Sequence, residues 1–309
     1  MKTKIFIDGR EGTTGLQIDA RLGERDDIDI IKLPEDKRKD VAARQEALNS
    51  ADIVFLCLPD AAAKESVSLI ENPAVRVIDA STAHRVAPGW TYGFAELTAN
   101  QRDEIAAARR VANPGCHATG FIAAVHPLVE LGLLPSDAKV CATSLTGYTG
   151  GGKKTIAQYE SPERDVELDS ARLYGLTLSH KHIPEMMRYG GLTTKPIFNP
   201  VICDFPCGML VTTSLYTSDL AGAPGPAQLL EVYRDFYAGQ DLIEVCAAPE
   251  SGFLGSNNLA GTCKLQIFVC GNDEQVTVSS RFDNLGKGAS GAAVQNMNIM
   301  LGLPEQTGL

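Results

Sequence analysis

Lys4-Ile5-Phe6-Ile7-Asp8-Gly9-Arg10-Glu11-Gly12-Thr13-Thr14-Gly15-Leu16 is a short apolar run that ends in a turn with glycine at every third position. A strand over Lys4–Ile7 followed by a helix over Leu16–Leu22 makes this the first strand–turn–helix unit of a dinucleotide fold. The glycines let the backbone turn tightly and approach a pyrophosphate, which then faces the N-terminus of the helix. The turn residues Gly9, Arg10, Gly12, Thr13, Thr14 and Gly15 are therefore the expected cofactor contacts. Glycine spacing alone also fits a plain surface turn; the strand before, the helix after and the units that follow favour the dinucleotide reading.

Further strands are expected over Ile28–Leu33, Asp52–Leu58, Val75–Ile78 and Val111–Ala112. Near the end of the second, an NAD-preferring protein usually carries an acid for the ribose hydroxyls. This chain has Lys32 there, then Lys37, Arg38 and Lys39, which suit an adenosine 2′-phosphate and point to NADP(H). Glu35, Asp36 and Asp40 are interleaved, so a merely solvated charged loop is the alternative. The third strand ends at Pro59, a candidate cofactor contact. The fourth delivers Asp79-Ala80-Ser81-Thr82-Ala83-His84-Arg85, and the fifth delivers Asn113. Ligands of open α/β sheets bind outside the carboxyl ends of the strands, where all these loops gather.

Asn113-Pro114-Gly115-Cys116-His117-Ala118-Thr119-Gly120 sets a cysteine at the start of an apolar helical run, Phe121–Leu134. Free backbone N–H groups and the helix dipole favour a thiolate at that position. A buried structural cysteine is the competing reading.

The chain has 309 residues, enough for two domains, with 44% apolar and 21% charged residues. A net charge of −10 argues against a general nucleic-acid binder. No apolar stretch nears the ~18 residues that span a bilayer, and the N-terminal apolar run is too short for a signal peptide. No membrane association is expected. The eight cysteines (57, 116, 141, 203, 207, 246, 263 and 270) show no repeating spacing. Cys203 and Cys207 lack identifiable co-ligands, so no metal is expected and reduced thiols in the cytoplasm are the simpler reading.

After Cys116, strands are expected over Lys139–Ser144, Met209–Tyr216, Lys264–Cys270 and Gln275–Phe282, with a helix over Pro226–Tyr237. The expected fold is α/β, with a Rossmann dinucleotide-binding domain over residues 1–116 and an α+β domain over residues 117–285 on a mostly antiparallel sheet.

Together these segments resemble the N-acetyl-γ-glutamyl-phosphate reductases, in the shorter of their two sequence types, within the aspartate-semialdehyde dehydrogenase superfamily. The resemblance covers nearly the whole chain. It rests on the glycine turn, Asp79–Arg85, the Cys116 segment, Thr146-Gly147-Tyr148-Thr149-Gly150-Gly151-Gly152-Lys153-Lys154, His180-Lys181-His182-Ile183-Pro184-Glu185 and Asp283-Asn284-Leu285-Gly286-Lys287-Gly288-Ala289-Ser290-Gly291. Two departures stand out. His117 replaces the usual aromatic residue after the cysteine, and Asp79–Arg85 lacks the inner acid of the commoner Asp-Leu-Ser-Ala-Asp-Phe-Arg.

The resemblance implies NADPH-dependent reduction of N-acetylglutamyl phosphate to the semialdehyde and inorganic phosphate through a thioester on Cys116. The acid/base comes from five histidines. His126 lies ten residues along the same helix, ~15 Å away. His117 is adjacent, but successive helical side chains diverge. His180 and His182 would share one face of a strand; His180 is expected as acid/base and His182 as substrate ligand. Ser81, Arg85, Asn113, Lys154 and Glu185 are the further expected substrate contacts, Asn113 near the oxyanion. Ser81, Gly147, Asn284, Gly286 and Gly288 are expected near the cofactor. The resemblance also implies that residues 286–309, with a helix over Ala292–Leu301, return to complete the first domain, that 117–285 is the substrate and dimerisation domain, and that the chain forms a homodimer or homotetramer. An aspartate-semialdehyde dehydrogenase would share cysteine, histidine and cofactor. A non-catalytic NADP sensor would need no reactive cysteine, and a cysteine hydrolase would leave the glycine turn unexplained.

Overall fold

Ile5, Phe6 and Ile7 are all buried, which requires a strand with both faces covered, the position of a central strand in a parallel sheet. In the computed structural model, which describes residues 2–309, that strand is β1 (Thr3–Asp8). The first of two units runs to Pro114 and resumes at Ala289. It continues with α1 (Thr13–Gly23), β2 (Ile28–Ile31), α2 (Val41–Ser50), β3 (Ile53–Leu56), α3 (Asp60–Ser68), β4 (Arg76–Asp79), β5 (Thr91–Tyr92), α4 (Gln101–Ala107) and β6 (Arg110–Ala112). The strand order is β2-β1-β3-β4-β6-β5 and every pairing is parallel. One face (Ile5, Ile7, Phe55, Ile78, Val111) packs with Ile18 and Leu22 of α1 and Ile105 of α4. The other (Phe6, Val54, Leu56, Val77) packs with Leu48 of α2 and Ala63 of α3. Strand order reverses between β1 and β3, where Asp8 stands opposite Leu56; there the carboxyl ends of the strands open a crevice.

The second unit, Gly115–Gly288, holds α5 (Cys116–Glu130), β7 (Cys141–Gly147), α6 (Lys153–Tyr159), β8 (Arg172–Leu173), α7 (Ile183–Gly190), β9 (Ile197–Cys203), β10 (Met209–Tyr216), α8 (Pro226–Phe236), β11 (Ile243–Cys246), β12 (Leu265–Gly271) and β13 (Gln275–Phe282). Its sheet, β11-β12-β13-β10-β7-β9-β8, is mixed but mostly antiparallel, with parallel pairs at β11/β12 and β7/β9. Three of these strands, β8, β9 and β11, were not expected. Helix α5 lies on β10, β13 and α7. The contact is close because Gly120 has no side chain: a Cβ there would stand 2.6 Å from Val211 Cγ2. Tyr237 Oη and Ser280 Oγ each donate 2.9 Å hydrogen bonds to carbonyls of this helix, at Ala123 and Gly120. The last helix, α9 (Gly291–Leu301), returns to the first unit against α4, α1 and β4.

The boundary expected after Cys116 instead falls at Pro114–Gly115, and the return expected at residue 286 falls at Gly288–Ala289. Cys116 goes with the second unit because it opens the helix that this unit's sheet buries.

Phe55 is fully buried at the middle of the first sheet. Phe55→Ala is expected to lower unfolding free energy by about 3–5 kcal/mol, read from the midpoint of urea denaturation. A loss under about 1 kcal/mol would contradict this account of the core.

Candidate active site

Gly9 has φ +83°, and a Cβ on it would stand 2.4 Å from the Cys57 carbonyl oxygen. A Cβ on Gly15 would stand 2.6 Å from Gly9 O. Only glycine allows the turn to fold this tightly onto the end of β3 and onto itself. Gly12 caps α1, with Leu16 N–H donating to its carbonyl. Beside the turn lies a cavity of about 250 Å³, lined by Asp8–Glu11, Ile31–Leu33, Arg38, Lys39, Arg44, Leu58 and Ala62. Five cations in or around it, Arg10, Lys32, Arg38, Lys39 and Arg44, fit a phosphorylated dinucleotide. Two are partly committed: Arg38 pairs with Glu11 at 3.1 Å and Arg10 with Asp19. Arg44 is buried, bonded to Asp8 at 3.0 Å and Ser66 at 2.7 Å.

Lys37 does not line this cavity; it sits in an exposed helical turn, Glu35–Lys37, and Lys39 takes its place. Pro59 is likewise outside, capping α3, while Leu58 lines the wall. Thr13 and Thr14 occupy the first turn of α1. Arg44 carried no sequence signal, being one of several polar residues in α2.

The Asp79–Arg85 loop is held by a network of internal hydrogen bonds. Asp79 is fully buried and accepts from Ser81 N–H (2.9 Å) and Ser81 Oγ (2.7 Å), with His84 Nδ1 at 2.6 Å. His84 stacks on Trp90, ring centres 4.1 Å apart. Arg85 is buried and donates to the carbonyls of Asn113 and Ala80 at 3.1 Å. Asn113 donates to Ala289 O (2.9 Å) and accepts from Asn296 Nδ2 (3.1 Å). Ser81, Arg85 and Asn113, expected as substrate contacts, thus also brace the loop and strand ends of the first unit.

In the second unit Cys116 is the first residue of α5. Its N-cap, Gly115, donates its N–H to Glu185 Oε2 at 3.1 Å. Glu185 is buried on α7, so it ties the entry of α5 to that helix. A Cβ on Gly288 would stand 2.9 Å from Cys116 Cβ, which explains that glycine directly. By contrast Cys57 is a buried thiol pushed up to about 12, by burial first and then by Asp79 and Asp8. Burial also raises Cys203 and Cys207. Among the described residues no group of three or more His, Cys, Asp and Glu side chains is arranged to hold a metal.

His180 and His182 are not on a strand. They sit in the turn that enters α7, with His182 as N-cap, and His182 N–H donates to His180 Nδ1 at 3.1 Å. Their rings still meet, 4.7 Å apart and edge-on. The larger surprise is His117. Its ring centre lies 5.2 Å from that of His180 and 5.6 Å from that of His182, with Phe198 at 5.3 Å. Nδ1 is 2.7 Å from Ser144 Oγ and Nε2 2.6 Å from Tyr174 Oη. Divergence from Cys116 along the helix is real, but the turn before α7 folds over the side that His117 faces. Burial first, and then His180 and Lys181, hold His117 well below the usual imidazole range. Burial, followed by the nearby Cys116 sulfur, pushes the Tyr174 phenol up. Neither Tyr174 nor the role of His117 was signalled by the sequence.

Other expected contacts are explained locally. A Cβ on Gly147 would stand 2.4 Å from Pro206 O, and one on Gly286 would stand 2.0 Å from Thr262 O. Asn284 bridges Gly208 N–H (2.9 Å) and Thr149 Oγ1 (3.1 Å). Lys154 is exposed on α6.

Residues 10–107 match the NAD binding domain of semialdehyde dehydrogenases, and residues 116–284 match the semialdehyde dehydrogenase dimerisation domain. The chain is 52% identical over 309 residues to the N-acetyl-gamma-glutamyl-phosphate reductase of Brucella ovis, covering 98% of this chain and 100% of that one. The enzyme of the same name from Brucella anthropi is also 52% identical, over 98% and 99%. The chain belongs to the N-acetyl-gamma-glutamyl-phosphate reductase family. Solved structures share its fold at 14% identity. Aspartate semialdehyde dehydrogenase II from Vibrio cholerae gives a TM-score of 0.72, covering 97% of this chain and 98% of that one. The Candida albicans enzyme with NADP gives 0.67, covering 97% and 99%. No helix among the described residues of this family member is long and apolar enough to cross a membrane.

Glu11→Gln releases Arg38 and removes a negative charge from the cavity wall. It is expected to tighten NADP⁺ binding roughly two- to fivefold, the worth of an exposed ion pair, with NAD⁺ affinity changing less than about twofold. Equal changes for both nucleotides, by calorimetry, would contradict the expectation that Arg38 meets the 2′-phosphate.

Proposed function

We infer that the chain reduces N-acetyl-L-glutamyl 5-phosphate to N-acetyl-L-glutamate 5-semialdehyde and inorganic phosphate, with NADPH, as a step of arginine biosynthesis. The observation that carries this is Cys116 at the first turn of α5, beside Tyr174 and the histidine cluster, in a chain 52% identical to reductases of that name over nearly its whole length.

Helix-terminal N–H groups stabilise the Cys116 thiolate, which attacks the acyl carbonyl. The carbon–sulfur bond forms, the carbon–oxygen bond to phosphate breaks, and phosphate leaves with its electron pair. N–H groups of the first turn of α5 stabilise the oxyanion. NADPH, when bound by the first unit, supplies the hydride that takes the thioester to the thiohemiacetal level. His180 protonates the developing alkoxide; the proton returns to it when the thiohemiacetal expels the thiolate and releases the aldehyde. His182 contacts substrate, and Glu185 acts through Gly115, holding the N-terminus of α5. Lys154, exposed on α6, meets the substrate's anionic groups.

The chain assembles as a homodimer or homotetramer through its second unit and works in the cytoplasm. The match of residues 116–284 to a dimerisation domain supports the assembly. Aspartate semialdehyde is the less favoured substrate: the structures bearing that name share the fold at 14% identity, against 52% for the acetylglutamyl-phosphate reductases.

The test is NADP⁺ reduction by N-acetylglutamate semialdehyde, with and without inorganic phosphate, for the wild type and Cys116→Ala. Activity that requires phosphate and falls at least about 10³-fold in the variant is expected. Phosphate-dependent turnover in both would overturn the nucleophile, and reaction with aspartate semialdehyde alone would overturn the substrate.

A further inference from the structure

The reaction above uses Cys116, His180 and His182 and gives the buried imidazole of His117 no part. His117 is almost fully buried, and both of its nitrogens are engaged, by Ser144 from β7 and by Tyr174 from the segment after β8. A histidine placed only to fill space would not need two polar partners on two different segments. Here both contacts lie within 2.7 Å, and the ring edge reaches His180, the proposed acid/base. We propose that His117 is a positioning residue for proton transfer at this site: a neutral imidazole that holds the Tyr174 hydroxyl in place and backs the ring of His180. The inference rests on the assignment of Cys116 and His180 made above.

A neutral imidazole donates through one ring nitrogen and accepts through the other, and a serine or phenol hydroxyl can take either part, so both contacts are made by an uncharged ring. Ser144 is fully buried in β7, so the ring plane is anchored to the sheet. Both ring nitrogens of His117 are thus satisfied without a net charge. A proton added to the ring would place a cation 5.2 Å from His180. Lys181 is a further positive charge felt by His117, and it acts in the same sense. Neutral His117 therefore leaves His180 as the imidazole that gains and loses the proton. It also holds Tyr174, whose phenol lies close enough to Cys116 to respond to its charge, in one orientation.

His117→Phe keeps a flat ring and removes both hydrogen bonds; His117→Gln keeps a neutral donor and acceptor. With the phosphate-dependent assay, His117→Phe is expected to lower kcat roughly ten- to hundredfold, the scale of a misplaced catalytic group, with KM within about threefold of wild type. His117→Gln should recover part of that loss. Tyr174→Phe alone should lower kcat at similar KM, and adding it to His117→Phe should lower kcat no further, because both act through one hydrogen bond. Wild-type kcat in His117→Phe, or losses that multiply in the double variant, would overturn the inference. If His117→Phe does not fold, Tyr174→Phe and His117→Gln decide it: wild-type kcat in Tyr174→Phe overturns it, and a kcat loss at unchanged KM supports it. Cys116→Ala, assayed alongside, separates the two levels. An active Cys116→Ala overturns the mechanism itself, whereas an inactive one beside unimpaired His117 and Tyr174 variants overturns the His117 role alone.

Discussion

The packing of α5 on the sheet of the second unit fixes Cys116 and His117 together. Gly120 brings the helix against Val211 and Phe282, and Ser280 bonds its backbone. Glu185 takes the N–H of Gly115, and Gly288 lets the chain pass beside the Cys116 Cβ. Four unrelated constraints thus meet on the N-terminal end of one helix. A thiol held this way, the proposed nucleophile, would lose little orientational freedom when substrate arrives, and the same helix terminus supplies a field that favours a thiolate. His117 follows directly along the same rigid turn, so its orientation toward Ser144 and Tyr174 is set by the same packing.

The first unit shows a different use of charge. Its cavity carries cations from the turn, the segment after β2 and α2, yet several are already paired with carboxylates. Arg44 with Asp8 is buried and holds the end of β1, whereas Arg38 with Glu11 is a half-exposed pair that can reorganise around a phosphate. The two arginines have the same chemistry and differ in role because burial fixes one of them. Asp79 does for its loop what Arg44 does for β1: it gathers Ser81 and His84, so polar side chains that look presentable in sequence are consumed in holding the backbone.

That contrast explains what could be read from the sequence. The glycine turn was legible because only a close backbone approach explains glycine at 9, 12 and 15 together. The position of Cys116 was legible because Pro114-Gly115 stops one segment and an apolar helical run begins another. Ser81, Arg85 and Asn113 were expected as substrate contacts from residue type and loop position, and the internal bonds that they also make had no signal in the sequence. β9 was hidden by Pro200, which breaks the strand pattern. His180 and His182 were expected to meet on a strand; they do meet, but across a turn, because Pro184 lies in the first turn of α7 and the chain folds just before it. His117 was set aside by an argument confined to its own helix, and the contact comes from a segment more than fifty residues away.

The claim at the centre of this account is that the acyl group passes through the Cys116 sulfur. Incubating the protein with N-acetylglutamyl phosphate without nucleotide, quenching in acid and locating the adduct by peptide mass spectrometry tests it most directly. An acylated Cys116 peptide, labile to hydroxylamine, is the expected result. An unmodified Cys116, in protein that turns over normally once NADPH is added, would contradict it.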